Sequence, residues 1–228
     1  MEQGFDVNQR DSENITLLHW GAINCRKDIV KFYIDHGAIV DAVGGELQST
    51  PLHWATRQGH LSMVVLLMKH GADPTLRDGE GCSAIHLAAQ FGYTPIVAFL
   101  LAKGVSPDIQ DRSGMTPLIW ACARVHSPDP ARLLLTFGAS TSLQDRTNKN
   151  TALHWAIMSK NSIAIQMLIN RNASLDIPND ANETPYHLLQ KMKESDWIGK
   201  KTVESILEKY HTDSRPGWCK ILRQDKVK

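Results

Sequence analysis

The chain has 228 residues, 42% of them hydrophobic, enough to bury a core, and 25 Lys+Arg against 24 Asp+Glu leave a formal charge of +1. That total conceals an asymmetry: residues 1–190 carry 15 basic against 18 acidic side chains, and residues 191–228 carry 10 against 6. A mildly acidic body without a basic, aromatic-studded stripe excludes nucleic acid as a partner; no apolar run reaches the roughly 20 residues of a membrane span, and Met1 to Asp6 lack the features of a secretory signal, which predicts a cytosolic chain.

In chain order, residues 1–11 read as the closing turn of a repeat whose helices are missing, the mark of a fragment. From residue 12 to 190 one phrase recurs: Thr16-Leu-Leu-His-Trp, Thr50-Pro-Leu-His-Trp, Ser83-Ala-Ile-His-Leu, Thr116-Pro-Leu-Ile-Trp, Thr151-Ala-Leu-His-Trp and Thr184-Pro-Tyr-His-Leu. The starts lie 34, 33, 33, 35 and 33 residues apart. Thr or Ser supplies a helix N-cap, and Pro after it has a φ already suited to the first helical position. Each phrase leads into a second apolar run, such as Met63 to Met68, closed by Gly37, Gly71, Gly104 or Gly138. Turn chemistry follows at Asp78-Gly-Glu-Gly81 and Asp111-Arg-Ser-Gly114. Residues 191–210 predict a capping helix carrying Trp197, Ile198, Val203, Ile206 and Leu207, and residues 211–228 a basic tail.

The six registered phrases resemble the ankyrin family over roughly residues 1–190. The fold class this implies is all-α: a solenoid of helix pairs joined by hairpin fingers, whose fingers and first helices line a concave groove. In that frame His19, His53, His86, His154 and His187 are structural rings bonded to their own Thr or Ser and to the neighbouring finger. The repeat also keeps them too far apart to share a zinc ion, and no metal or other cofactor is expected. Cys25, Cys82, Cys122 and Cys219 form no CxxC pair, which predicts reduced thiols, and no partner base marks any of them as a nucleophile. Trp20, Trp54, Trp120 and Trp155 occupy one position of the first helix and predict an aromatic ladder along the groove, suited to anchoring a protein partner.

Other phrases depart from the general ankyrin pattern together: Glu13 to Asn24, Gly37 to Glu46, Ser49 to Leu61 and Asp78 to Ser83. They resemble the ankyrin domain of the huntingtin-interacting DHHC palmitoyltransferases, invertebrate members above all, and Trp218 to Lys226 is similar to the juxtamembrane segment of those enzymes. The resemblance implies a recruitment module that grips disordered client segments carrying aliphatic residues followed by Gln-Pro. Asn24 would bond the peptide backbone and Trp54 would receive the proline, with Trp20, Gln58 and Glu80 as further groove residues. One departure is Cys25, where a second Asn follows the first in the family. The DHHC motif and membrane helices are absent from these 228 residues, so no acyl transfer is expected of this chain by itself. The resemblance implies the cytoplasmic side of Golgi or vesicle membranes, reached through the missing part or weakly through the basic tail. The alternatives are a free-standing cytosolic ankyrin adaptor and an isoform that binds clients without acylating them.

Overall fold

The computed structural model describes residues 6–124 and 129–191. The capping helix after Lys191, the basic tail, Cys219 and Met1 to Phe5 lie outside the described residues. Eleven helices are present among those described, and they alternate in length. The first helices are α1 (Leu17–Ile23), α3 (Pro51–Arg57), α5 (Ala84–Gln90), α7 (Pro117–Ala123), α9 (Ala152–Met158) and α11 (Pro185–Lys191). The second helices are α2 (Lys27–Asp35), α4 (Leu61–Lys69), α6 (Thr94–Ala102), α8 (Asp129–Thr136) and α10 (Ser162–Asn170).

The caps set these lengths. Thr50, Thr116 and Thr151 are extended residues whose hydroxyls accept the N–H three positions on, satisfying an amide with no partner inside the helix. Nine residues after the cap the first helix is closed by a left-handed residue: Cys25 at φ 53°, Gly59, Gly92 and Lys160 at φ 56°. Cys25 holds this conformation with a Cβ, where glycine or asparagine is easier. The second helix ends the same way at Gly71, φ 93°.

First helices stack in one row and second helices in another, each pair packing on the next. Between the rows runs one core, with Leu18, Leu52, Ile85, Leu118 and Leu153 from the first helices against Val30, Val64, Val97, Leu134 and Leu168 from the second, all buried. No single pair could bury both of its apolar faces, so stability comes from the interfaces.

The connections between pairs are fingers, closed by isolated antiparallel bridges such as Arg10 with Thr16 and Gln144 with Thr151. Each finger is hydrogen-bonded to the one before it: Gly45 N to Glu13 O, Gly79 N to Leu47 O, Arg112 N to Glu80 O, Arg146 N to Ser113 O and Asp180 N to Asn148 O, at 2.6–3.3 Å. Side chains add rungs. Arg10 donates to Val43 O at 2.6 Å, Gln110 to Gln144 O at 3.2 Å, Gln144 to Pro178 O at 2.9 Å, and Arg77 to the Gln110 carbonyl. At Gly81, φ 82°, an added Cβ would stand 2.5 Å from Arg112 N of the next finger. Gly81→Ala is therefore expected to cost about 2 kcal/mol, read as a lowered urea midpoint, because the left-handed turn and the finger contact are both strained.

Candidate functional site

The repeated histidines are structural. The backbone N–H of Thr16, Thr50, Ser83 and Thr151 donates to Nδ1 of the histidine three residues on, at 3.1–3.2 Å. Nδ1 is thereby an acceptor, so Nε2 carries the proton and donates to a finger carbonyl: Ser49 O for His19, Cys82 O for His53, Ile109 O for His86 and Glu183 O for His154. Burial holds all four rings below the ordinary imidazole range, His86 down to about 4. Ile119 replaces the ring in the fourth repeat and is buried, whereas His187 is exposed.

The tryptophans are tied to the fingers by aspartates. Asp11, Asp111 and Asp145 each offer Oδ1 to backbone N–H groups of their own turn and Oδ2 to an indole: Trp20 at 3.2 Å, Trp120 at 2.9 Å and Trp155 at 2.7 Å. In the third repeat buried Leu87 stands where tryptophan stands elsewhere, so the expected continuous ladder is interrupted there. Asp78, still capping its turn through Oδ1, gives Oδ2 to Arg57 Nη2 at 2.8 Å. That ion pair is dry on the carboxylate side, and Arg57 Nε is buried with no partner among the described residues.

Trp54 differs from the other three. Its finger carries Val43-Gly44 where four others carry Arg10-Asp11, Arg77-Asp78, Gln110-Asp111 and Gln144-Asp145: Gly44 donates its N–H to Ser49 O as those aspartates donate theirs to the residue ahead of the cap. Hydrogen bonds to the Trp54 indole N–H are absent among the described residues. The ring is half-buried, with Trp20 edge-on at 5.7 Å and 84° and His19 at 5.3 Å and 66°. Trp20 is 47% exposed, and Val43 and Leu47 of the same finger are each 40% exposed, so an apolar surface is open to solvent around the indole.

Of the residues singled out in the sequence, Trp20, Trp54 and Asn24 come together. Asn24, exposed, caps α1, and its Nδ2 donates to Trp20 O at 2.8 Å, which leaves its amide oxygen available as an acceptor. Gln58 caps α3 in the same way, exposed one turn beyond Trp54. Glu80 is exposed on the third finger, its N–H donating to Asp78 Oδ1 and its carbonyl accepting from Arg112 N. The roles of Gly44 and Arg57 were not foreseen from the sequence; the visible signal was the break in the Arg/Gln–Asp pair at Val43-Gly44, repeated in the sixth finger as Pro178-Asn179.

Burial pushes the Cys122 thiol up to about 12 and, with help from Asp78 and Asp111, also raises Cys82, so neither is a thiolate near neutrality. Among the described residues no group of His, Cys, Asp and Glu is arranged to hold a metal ion, and no helix is long and apolar enough to cross a membrane. The arrangement offers a surface for binding.

Comparison with known proteins accords with the repeat architecture. The family described as "Ankyrin repeats (3 copies)" matches residues 1–78 and 76–145, and "Ankyrin repeat" matches residues 148–180. The chain belongs to the ankyrin-repeat family. This ankyrin array is 62% identical over 226 residues to palmitoyltransferase ZDHHC17 of Danio rerio, covering 99% of the chain and 36% of that protein. It is 59% identical over 228 residues to palmitoyltransferase Hip14 of Drosophila melanogaster, with 99% and 36% covered, and 55% identical over 193 residues to palmitoyltransferase ZDHHC13 of Mus musculus, with 85% and 31% covered. The chain thus spans about a third of the length of these curated relatives. It is homologous to the ankyrin region of DHHC palmitoyltransferases and is a protein-interaction module.

Proposed function

We propose that this array is the client-recruiting part of a protein-cysteine S-palmitoyltransferase, holding disordered client segments in which an aliphatic residue is followed by two spacers and Gln-Pro. The observation that carries the reading is the Trp20–Trp54 pair, open to solvent beside the exposed Val43 and Leu47, with the Asn24 amide oxygen one helical turn away. A proline ring is rigid and apolar, so it loses little entropy when it settles on such a surface, and Asn24 supplies an acceptor for a backbone N–H of the same segment. Trp20, Gln58 and Glu80 would line the margins. Residues 1–11 would complete a preceding repeat and residues 12–190 form the recruiting array, with a capping helix over 191–210 and a basic tail over 211–228. Acyl transfer would belong to the longer protein, as the names of the relatives suggest, and would place the array at the cytoplasmic side of a Golgi or vesicle membrane.

Calorimetric titration with an aliphatic-x-x-Gln-Pro peptide tests this. Saturable binding is expected, with Trp54→Ala weakening it by about 2 kcal/mol, roughly thirtyfold, as for a buried aromatic anchor. A folded wild-type chain that takes up no peptide would sink the proposal.

A further inference from the structure

The arginines of the third, fourth and fifth fingers, Arg77, Arg112 and Arg146, are exposed and line one cleft of about 720 Å³. None of the three makes an ion pair among the described residues. Their side chains are nonetheless held in place. Arg77 donates to Gly81 O at 3.2 Å and to the Gln110 carbonyl, and Arg146 reaches Arg112 O at 3.5 Å. Two left-handed glycines at the same finger position seat the other two stems: a Cβ on Gly81 would stand 2.9 Å from Arg112 Cβ, and one on Gly114 would stand 2.6 Å from Arg146 Cγ. The carboxylates of the same wall are already committed. Asp78 and Asp111 are buried, one bonded to Arg57 and the other to Trp120, and half-buried Asp108 accepts the Ser140 N–H. What the cleft presents to solvent is therefore guanidinium, although residues 1–190 as a whole are acidic.

We propose that this cleft is an anion-binding site that takes a phosphorylated side chain from an extended segment of a protein partner. A guanidinium offers paired N–H donors in one plane, and three of them around one opening match the three terminal oxygens of a phosphate dianion. A carboxylate, with two oxygens and one charge, satisfies fewer of them. Because the glycine seats and carbonyl bonds order the arginine stems before a ligand arrives, little side-chain entropy is lost on binding. A protein segment suits the site better than a bilayer does. Exposed Glu13, Glu46 and Glu80 stand on the first three fingers, so an anionic membrane laid along the row would be repelled over its first half, whereas a single chain can meet the arginines alone. The cleft belongs to the third to fifth fingers, apart from the Trp20–Trp54 pair, and the proposal does not depend on what that pair binds.

The test is fluorescence anisotropy of the full 228-residue chain, at low ionic strength, with a labelled Gly/Ser-rich peptide carrying one phosphoserine. The phosphopeptide is expected to bind about tenfold more tightly than its unphosphorylated form, and Arg112→Gln combined with Arg146→Gln to weaken it about tenfold while leaving the urea midpoint in place. Lys27→Gln combined with Lys31→Gln removes the same charge from exposed positions on α2 and is expected to bind the phosphopeptide as wild type does. Arg77 is left intact because its bonds join two fingers. Equal weakening in the two double variants would overturn the proposal in favour of net charge alone, and so would equal binding of the peptide with and without its phosphate. If the folded wild-type chain ignores the phosphopeptide but binds phosphatidylcholine vesicles containing a phosphatidylinositol phosphate through Arg112 and Arg146, the cleft is a lipid site and the proposal is likewise overturned.

Discussion

Between pH 6.5 and about pH 4 the array is expected to lose roughly 3 kcal/mol of stability through His86 alone, with His19, His53 and His154 adding losses of the same sign. In the folded chain His86 is enclosed, accepts the Ser83 N–H at Nδ1 and donates from Nε2 to Ile109 O. A second ring proton would point at the Ser83 N–H, and the charge would be desolvated. Asp111 favours that charge but does not offset burial, while Arg77 adds to the penalty, so the folded ring protonates only near pH 4. The unfolded ring protonates at its ordinary 6.5. In the interval the unfolded state binds more protons, so stability rises with pH there, is full above 6.5, and falls as the solution is acidified. Urea midpoints measured from pH 7.5 to 4 should show this slope. His86→Ile, which copies Ile119 of the fourth repeat, should be less steep through that range even though it is less stable at pH 7.5. A wild-type midpoint that stays flat to pH 4.5 would contradict the argument.

Leu118→Ala is expected to cost 2–5 kcal/mol, in the range of buried leucine truncations. Leu118 is fully buried on α7, and α7 packs on α5, α8 and α9. Because a solenoid is held by nearest-neighbour interfaces, a cavity in the middle repeat weakens the coupling between the two halves as well as the repeat itself. The expected urea transition is shifted to lower denaturant and made shallower, whereas Val30→Ala near the N-terminal end should shift the midpoint with less loss of slope. Equal slopes in the two variants would mean that the array unfolds as one unit despite its one-dimensional contacts.

The repeat was legible because its landmarks are local. A Thr or Ser cap, Pro at the first helical position, a histidine three residues on and a left-handed Gly after the second helix each act within a few residues, and their recurrence marks helix starts such as Pro51 and Pro117 and helix ends such as Gly71. The structural role of the histidines was legible too, since Thr-x-x-His places the ring beside the cap. The Trp20–Trp54 pairing followed from equal position in successive repeats.

What the chain sequence determined by itself was therefore the architecture: helix pairs at a period near 33, one shared core, and which face each tryptophan takes. Which polar groups meet was decided only in the tertiary structure. Arg57 finds Asp78, Arg10 finds Val43 O and the indole of Trp155 finds Asp145 because stacking brings positions many residues apart to hydrogen-bond distance. Periodicity specifies that such positions neighbour one another but not the offset of a few ångströms that selects donor and acceptor. For the same reason the absence of a carboxylate at Gly44 reads in the sequence as one more turn glycine, and only in the folded array as an indole without the aspartate that the other tryptophans bond.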